Sequence, residues 1–63
     1  MNGEKLKIER IKRGLTQEAL AKKAGITNVS ISIIESGKGN PLHITLGKLA
    51  TALDLPVDFF WEN

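Results

Sequence analysis

A small residue, a glycine and two isoleucines at fixed intervals constrain this chain more than any bulk property. In the stretch TQEALAKKAGITNVSISIIESGKG, Thr16 to Gly39, Ala21 is fifth counting from Gln17, Gly25 is ninth, and Ile31 and Ile34 are fifteenth and eighteenth. Two short helices that cross steeply over a three- to four-residue turn need this arrangement. A large side chain at Ala21 would hold them apart, and a Cβ at Gly25 would strain the turn. Thr16 is a good N-cap for the first of the two, its hydroxyl free to accept from a first-turn amide. From Gln17 to Lys23 the residues are helix formers, with Leu20, Ala21 and Ala24 on one face. Gly25, able to take positive φ, ends that helix. Thr27 caps the second, in which Ile31 and Ile34 share a face and seal it against the first. Asn28, Val29, Ser32 and Ile33 are left on the opposite side. Gly37 closes this helix, and Lys38, Gly39, Asn40 and Pro41 form a loop. A helix propped in this way has the form needed to enter a DNA major groove.

Sixty-three residues lie near the lower limit for a core without covalent staples, so few apolar side chains are spare for a ligand pocket. The chain has no cysteine, which removes disulfides and thiolate zinc sites. No apolar run approaches the roughly 20 residues of a membrane span, and no signal peptide is visible, so the expected location is cytoplasmic. The net charge is only +2, but it is unevenly placed. Residues 1–23 hold seven Lys/Arg against three Asp/Glu, whereas residues 24–63 hold two against four. Basic charge gathered in one half is the footprint expected for a polyanion partner; the plainer reading is that these lysines solvate two surface helices.

Residues 4–13, EKLKIERIKR, read as a first helix ended by Gly14, with Leu6, Ile11 and Leu15 facing the core and Ile8 flanking. Lys5, Lys7, Lys12 and Arg13 fan outward. A further helix over Ile44 to Leu53 carries Leu46, Leu49, Ala50 and Leu53 as a core stripe. Gly47 inside it costs roughly 1 kcal/mol relative to alanine, for which a close approach by a neighbouring element is the candidate reason. Pro56 suits the first turn of a short terminal helix, VDFFWEN. Its adjacent aromatics Phe59, Phe60 and Trp61 cannot all point inward, so at least one is left as a partner contact. His43, without cysteines or clustered carboxylates, reads as a surface or capping residue and not as a metal ligand. Paired acid/base groups, a phosphate loop and a metal constellation are all missing, so neither an enzyme nor a cofactor is expected.

The segments LTQEALAKKAGIT, IESGKGNP and TLGKLATALDLPVDFF resemble the Cro/C1-type helix-turn-helix family, the XRE or phage-repressor-like regulators, over Lys5 to Trp61. The resemblance implies an all-α, compact five-helix bundle of the lambda-repressor-like type. It implies one helix-turn-helix DNA-binding domain over residues 1–63, with the helix-turn-helix at about 16–37. It implies an ion pair between Arg10 and Glu35, tying the first helix to the end of the third. Gln17 with the first-turn amides of its helix would meet a backbone phosphate; Thr27, Lys38 and Asn40 would make further phosphate contacts. Asn28, Val29, Ser32 and Ile33 would face the bases. That helix has no Lys or Arg and is poorly equipped to read guanine, so the contacted bases should lean towards A and T: Asn28 on adenine, Val29 and Ile33 on thymine methyl groups. For Val29 the rival is burial against the preceding helix, and for Ile33 contact with a protein. Ala19 stands where the family commonly has glutamate, leaving the capping box incomplete. His43 stands where an apolar residue is usual, so Leu42 or Ile44 would fill that gap. Phe60 and Trp61 match the apolar pair that docks the last helix, which leaves Phe59 as the candidate dimer contact.

These readings converge on a sequence-specific double-stranded DNA-binding transcriptional regulator, most simply a repressor acting as a homodimer on inverted half-sites. No membrane association and no small-molecule effector are implied, since no linker or effector segment follows. The alternative is an antitoxin or other protein-interaction module using the same helix-turn-helix, motivated by the apolar Val29/Ile33 patch and the aromatic end. Against it, an antitoxin usually needs extra sequence to wrap its partner.

Overall fold

Short polar side chains set where three of the four helices begin. Asn2 Oδ1 accepts from the Glu4 amide at 3.0 Å, Thr16 Oγ1 from Ala19 at 3.0 Å, and Thr27 Oγ1 from Ser30 at 3.1 Å. Each satisfies an amide that helix geometry leaves without a partner. The computed structural model describes residues 2–61, and they form α1 (Gly3–Lys12), α2 (Gln17–Ala24), α3 (Asn28–Glu35) and α4 (His43–Ala52). No strand occurs among the described residues. The turn between α2 and α3 rests on Gly25 at φ +76°, whose amide and that of Ile26 both return to the Ala21 carbonyl, at 2.9 and 3.0 Å. Such a left-handed position costs an L-residue about 1–2 kcal/mol, which glycine avoids.

The core joins Leu6 of α1, Leu20 and Ala21 of α2, Ile31 and Ile34 of α3, Leu46, Leu49 and Ala50 of α4, and then Leu53 and Phe60. Through it α3 packs on both α1 and α2, and α2 packs on α4. The start of α1 lies so close to the end of α3 that a Cβ on Gly3 would collide with the carbonyl oxygens of Ile34 and Glu35. That glycine lets the two helices touch backbone to backbone.

Several expectations need correction. Ile11 does not face the core: it is 57 % exposed, and Ile8 is exposed as well. From buried Leu6, the helical period brings Gly3 and Arg10 to the inner face, three back and four on, while Ile11 falls about 140° away. Arg10 therefore takes the inner place. Neither Leu42 nor Ile44 fills the gap at His43, for both are exposed. His43 instead stacks on Trp61, ring centroids 4.5 Å apart and planes 10° from parallel, and its carbonyl accepts from Trp61 Nε1 at 3.3 Å. The presence of Gly47 now has a cause, because a Cβ there would come within 3.0 Å of Val57 Cγ2.

The expected fifth helix is not an α-helix. Residues 57–60 form successive turns, with the Phe59 amide bonded to the Pro56 carbonyl at 2.9 Å and Trp61 to Asp58 at 3.0 Å. Glu62 and Asn63, its expected end, lie outside the described residues. So short a segment gains too few helical bonds to offset nucleation, and its conformation follows its anchors. Phe60 is the anchor, fully inside; Phe59 is half-buried and meets it edge to face at 5.0 Å. Trp61 does not dock in the core as expected. It is the exposed aromatic of the three, and Phe59 lies beneath Lys5, whose Nζ is 4.7 Å from its ring centre.

Candidate nucleic-acid interface

Three polar side chains from three helices lock α3 in place. Glu35, at its end, has a carboxylate side chain only 4 % exposed. It accepts from Arg10 Nε at 2.7 Å, Arg10 Nη2 at 3.1 Å and Gln17 Nε2 at 3.1 Å. The third Arg10 nitrogen donates to the Leu15 carbonyl at 2.7 Å, so each of the three guanidinium nitrogens makes a bond. The carboxylate beside it holds the Arg10 guanidinium above its ordinary pKa, against the opposing pull of burial. No buried side-chain polar atom lacks a partner among the described residues. A buried bidentate pair with its remaining groups satisfied fixes orientation far better than a solvated one. It also turns the only acid of α3 away from solvent and neutralises it.

With α3 held, its outer face is open. Asn28, Val29, Ser32 and Ile33 are all exposed, Val29 at 63 % and Ile33 at 47 %. Val29 is thus not buried against α2. Past the helix, the Ser36 hydroxyl donates to the Ile33 carbonyl at 2.7 Å and accepts the Lys38 amide at 3.4 Å, while that amide also reaches the Ile33 carbonyl at 3.3 Å. These bonds fold the Lys38–Asn40 loop back onto the helix end. A Cβ built on Gly39, at φ +76°, would come within 3.3 Å of Ile33 Cγ2. Lys38 and Asn40 are exposed on this loop. The Gly37 and Lys38 amides are engaged internally, so those of Gly39 and Asn40 are the ones that can meet an outside acceptor.

The expected phosphate contacts stand differently from one another. Gln17 is half-buried and bonds Glu35 through one N–H; a carboxamide nitrogen carries a second, which this bond leaves unused. Thr27 caps α3 as expected. Its hydroxyl accepts the Ser30 amide and donates to Ser30 Oγ at 3.0 Å, leaving its backbone amide as the donor. The basic face of α1 is also less free than its charge count suggests. Arg13 lies 2.8 Å and Lys12 3.6 Å from Glu9, and Lys5 donates to the Phe59 carbonyl at 3.4 Å. The Arg13 hydrogen bond draws the Glu9 pKa below its ordinary value. Sequence reasoning missed the roles of Ser36, Ser30 and Gly3. The serine bonds are local, to residues two or three positions away, whereas Gly3 acts through a contact that exists only once α1 has met α3.

Residues 6–60 match the family HTH_3, described as Helix-turn-helix. The chain is 44 % identical over 57 residues to the HTH-type transcriptional repressor RghR of Bacillus subtilis, a match covering 89 % of this chain and 42 % of that protein. The chain therefore spans about two fifths of the length of that curated relative. It is similar to the restriction-modification controller protein C.AhdI from Aeromonas hydrophila, with 36 % identity, a TM-score of 0.84, and coverage of 87 % of this chain and 83 % of that one. It is likewise similar to the N-terminal DNA-binding domain of the biofilm regulator SinR from Bacillus subtilis, with 31 % identity, a TM-score of 0.84, and coverage of 100 % and 93 %. Capped helix pair, glycine turn, locked third helix and these likenesses agree: the chain belongs to the Cro/C1-type, or XRE, helix-turn-helix family of transcription regulators.

Proposed function

We propose that this protein binds a specific double-stranded DNA operator through α3 and represses transcription there as a homodimer on inverted half-sites. The observation that carries the reading is the outward row Asn28, Val29, Ser32 and Ile33 on a helix immobilised by Arg10, Gln17 and Glu35. Gln17 and the α2 amides on one side, with Lys38, Asn40 and the loop amides on the other, clamp phosphates and set the depth of α3; these contacts supply most of the affinity and make it fall with salt. Half-sites one helical turn apart place two copies about 34 Å centre to centre. The protein measures 26 × 22 × 19 Å, so two copies at that spacing fit on the duplex without overlap. Selection of bound duplexes from a random pool, followed by mobility-shift titration, tests the reading. A recurrent inverted motif bound with about 10³-fold preference or more over random duplex supports it, and equal binding to all sequences at low salt overturns it.

The exposed apolar pair Val29 and Ile33 favours a second reading, a module that docks a protein on α3. Recovery of a stoichiometric protein partner that Ile33→Asp abolishes, with no DNA preference in the free protein, would select it.

A further inference from the structure

The outer face of α3 consists of two parallel rows, each with members four residues apart: polar Asn28 and Ser32, apolar Val29 and Ile33. The apolar row is rigid. β-Branched side chains in a helix hold essentially one χ1 rotamer. The loop runs close to Ile33, for a Cβ built on Gly39 would come within 3.3 Å of Ile33 Cγ2, and the Ser36 and Lys38 bonds fix the Ile33 carbonyl. No cation stands on α3, and its one acid is held by Arg10 and Gln17. The apolar row therefore meets the groove with neither a donor nor an acceptor. The feature of a base edge that such a row can sense is the C5-methyl group.

Resting on the DNA-binding reading above, we infer that Val29 and Ile33 read C5-methyl groups as such, whether carried by thymine or by 5-methylcytosine. Binding then responds to cytosine methylation at those places. Residues four apart are separated by about 6 Å along a helix, against about 3.4 Å per base step, so the two methyls lie within about two base-pair steps. Asn28 and Ser32 hydrogen-bond, and they carry no information about the methyl.

The test uses an operator selected on the unmodified protein. Deoxyuridine replaces thymidine one position at a time, which removes a methyl and leaves both the base pair and the protein unchanged. Two positions within two steps of each other should each lose about fourfold in affinity, equivalent to about 0.8 kcal/mol for one buried methyl-sized group. One of these losses should vanish in Ile33→Ala and the other in Val29→Ala, both variants being checked for an unchanged melting temperature. At the same positions a 5-methylcytosine–guanine pair should bind about fourfold tighter than a cytosine–guanine pair. A specific complex with a flat uracil scan, or losses that persist in both variants, overturns the inference and leaves the DNA-binding reading standing. Failure to find any preferred sequence overturns that reading, and the inference with it.

Discussion

Replacing Glu35 by alanine removes the acceptor of three hydrogen bonds and leaves the Arg10 side chain, 11 % exposed, with only the Leu15 carbonyl. Removing one partner from a buried pair costs about 3–5 kcal/mol, because the other charge stays desolvated and unpaired. A chain of this length has a total stability of about 3–9 kcal/mol at the usual 0.05–0.15 kcal/mol per residue. Glu35→Ala should therefore lose a large part of its folded population at room temperature. Urea denaturation followed by circular dichroism at low temperature, where the variant is still folded, gives the number. The companion is the double variant Arg10→Met with Glu35→Leu, which exchanges the pair for apolar groups of similar volume and should recover most of the loss. That double variant should nonetheless bind DNA less tightly, since Gln17 loses its partner and α3 its directional lock. A loss below about 1 kcal/mol for Glu35→Ala, the range of exposed pairs, would refute the reasoning. So would a double variant as unstable as the single one, for the damage would then not arise from an unpaired charge.

Gly3→Ala should destabilise by about 1–3 kcal/mol, because the added Cβ collides with α3 carbonyls that cannot swing aside; equal denaturation midpoints would contradict this. Lys38→Ala should weaken all DNA sequences alike and lower the salt slope of binding by about one, measured by titration at several salt concentrations. Asn28→Ala should instead relax discrimination at one base pair by about 1–3 kcal/mol, and an equal, uniform loss from both substitutions would overturn this division of roles. Because Arg13 depresses the Glu9 pKa, the ionised form is favoured in the folded chain. Its small stabilisation is fully present above the ordinary glutamate range near pH 4.5 and fades as pH falls through the depressed value, so Glu9→Gln should flatten the acid limb of a stability–pH curve.

What could be read from the chain alone is what neighbours within four positions determine. Thr16 and Thr27 cap helices through amides three residues on, Gly25 turns the chain through its own φ, and Ile31 with Ile34 form a face by period alone. The exposure of Asn28, Val29, Ser32 and Ile33 follows from that same period once one face is sealed. The Arg10–Glu35 contact, 25 residues apart in sequence, was accessible only through family resemblance, since no local pattern links the two. Tertiary structure alone decided the rest. Arg10, brought to the inner face by the helical period, met Glu35 of α3 there, and Gln17 turned to the same carboxylate from another helix. Phe60 claimed the core and so set Trp61 on His43 and Phe59 under Lys5, in a turn and not a helix. The physical division is one of range: backbone dihedrals and caps answer to adjacent residues, whereas burial is a contest between side chains that meet only after the chain has folded.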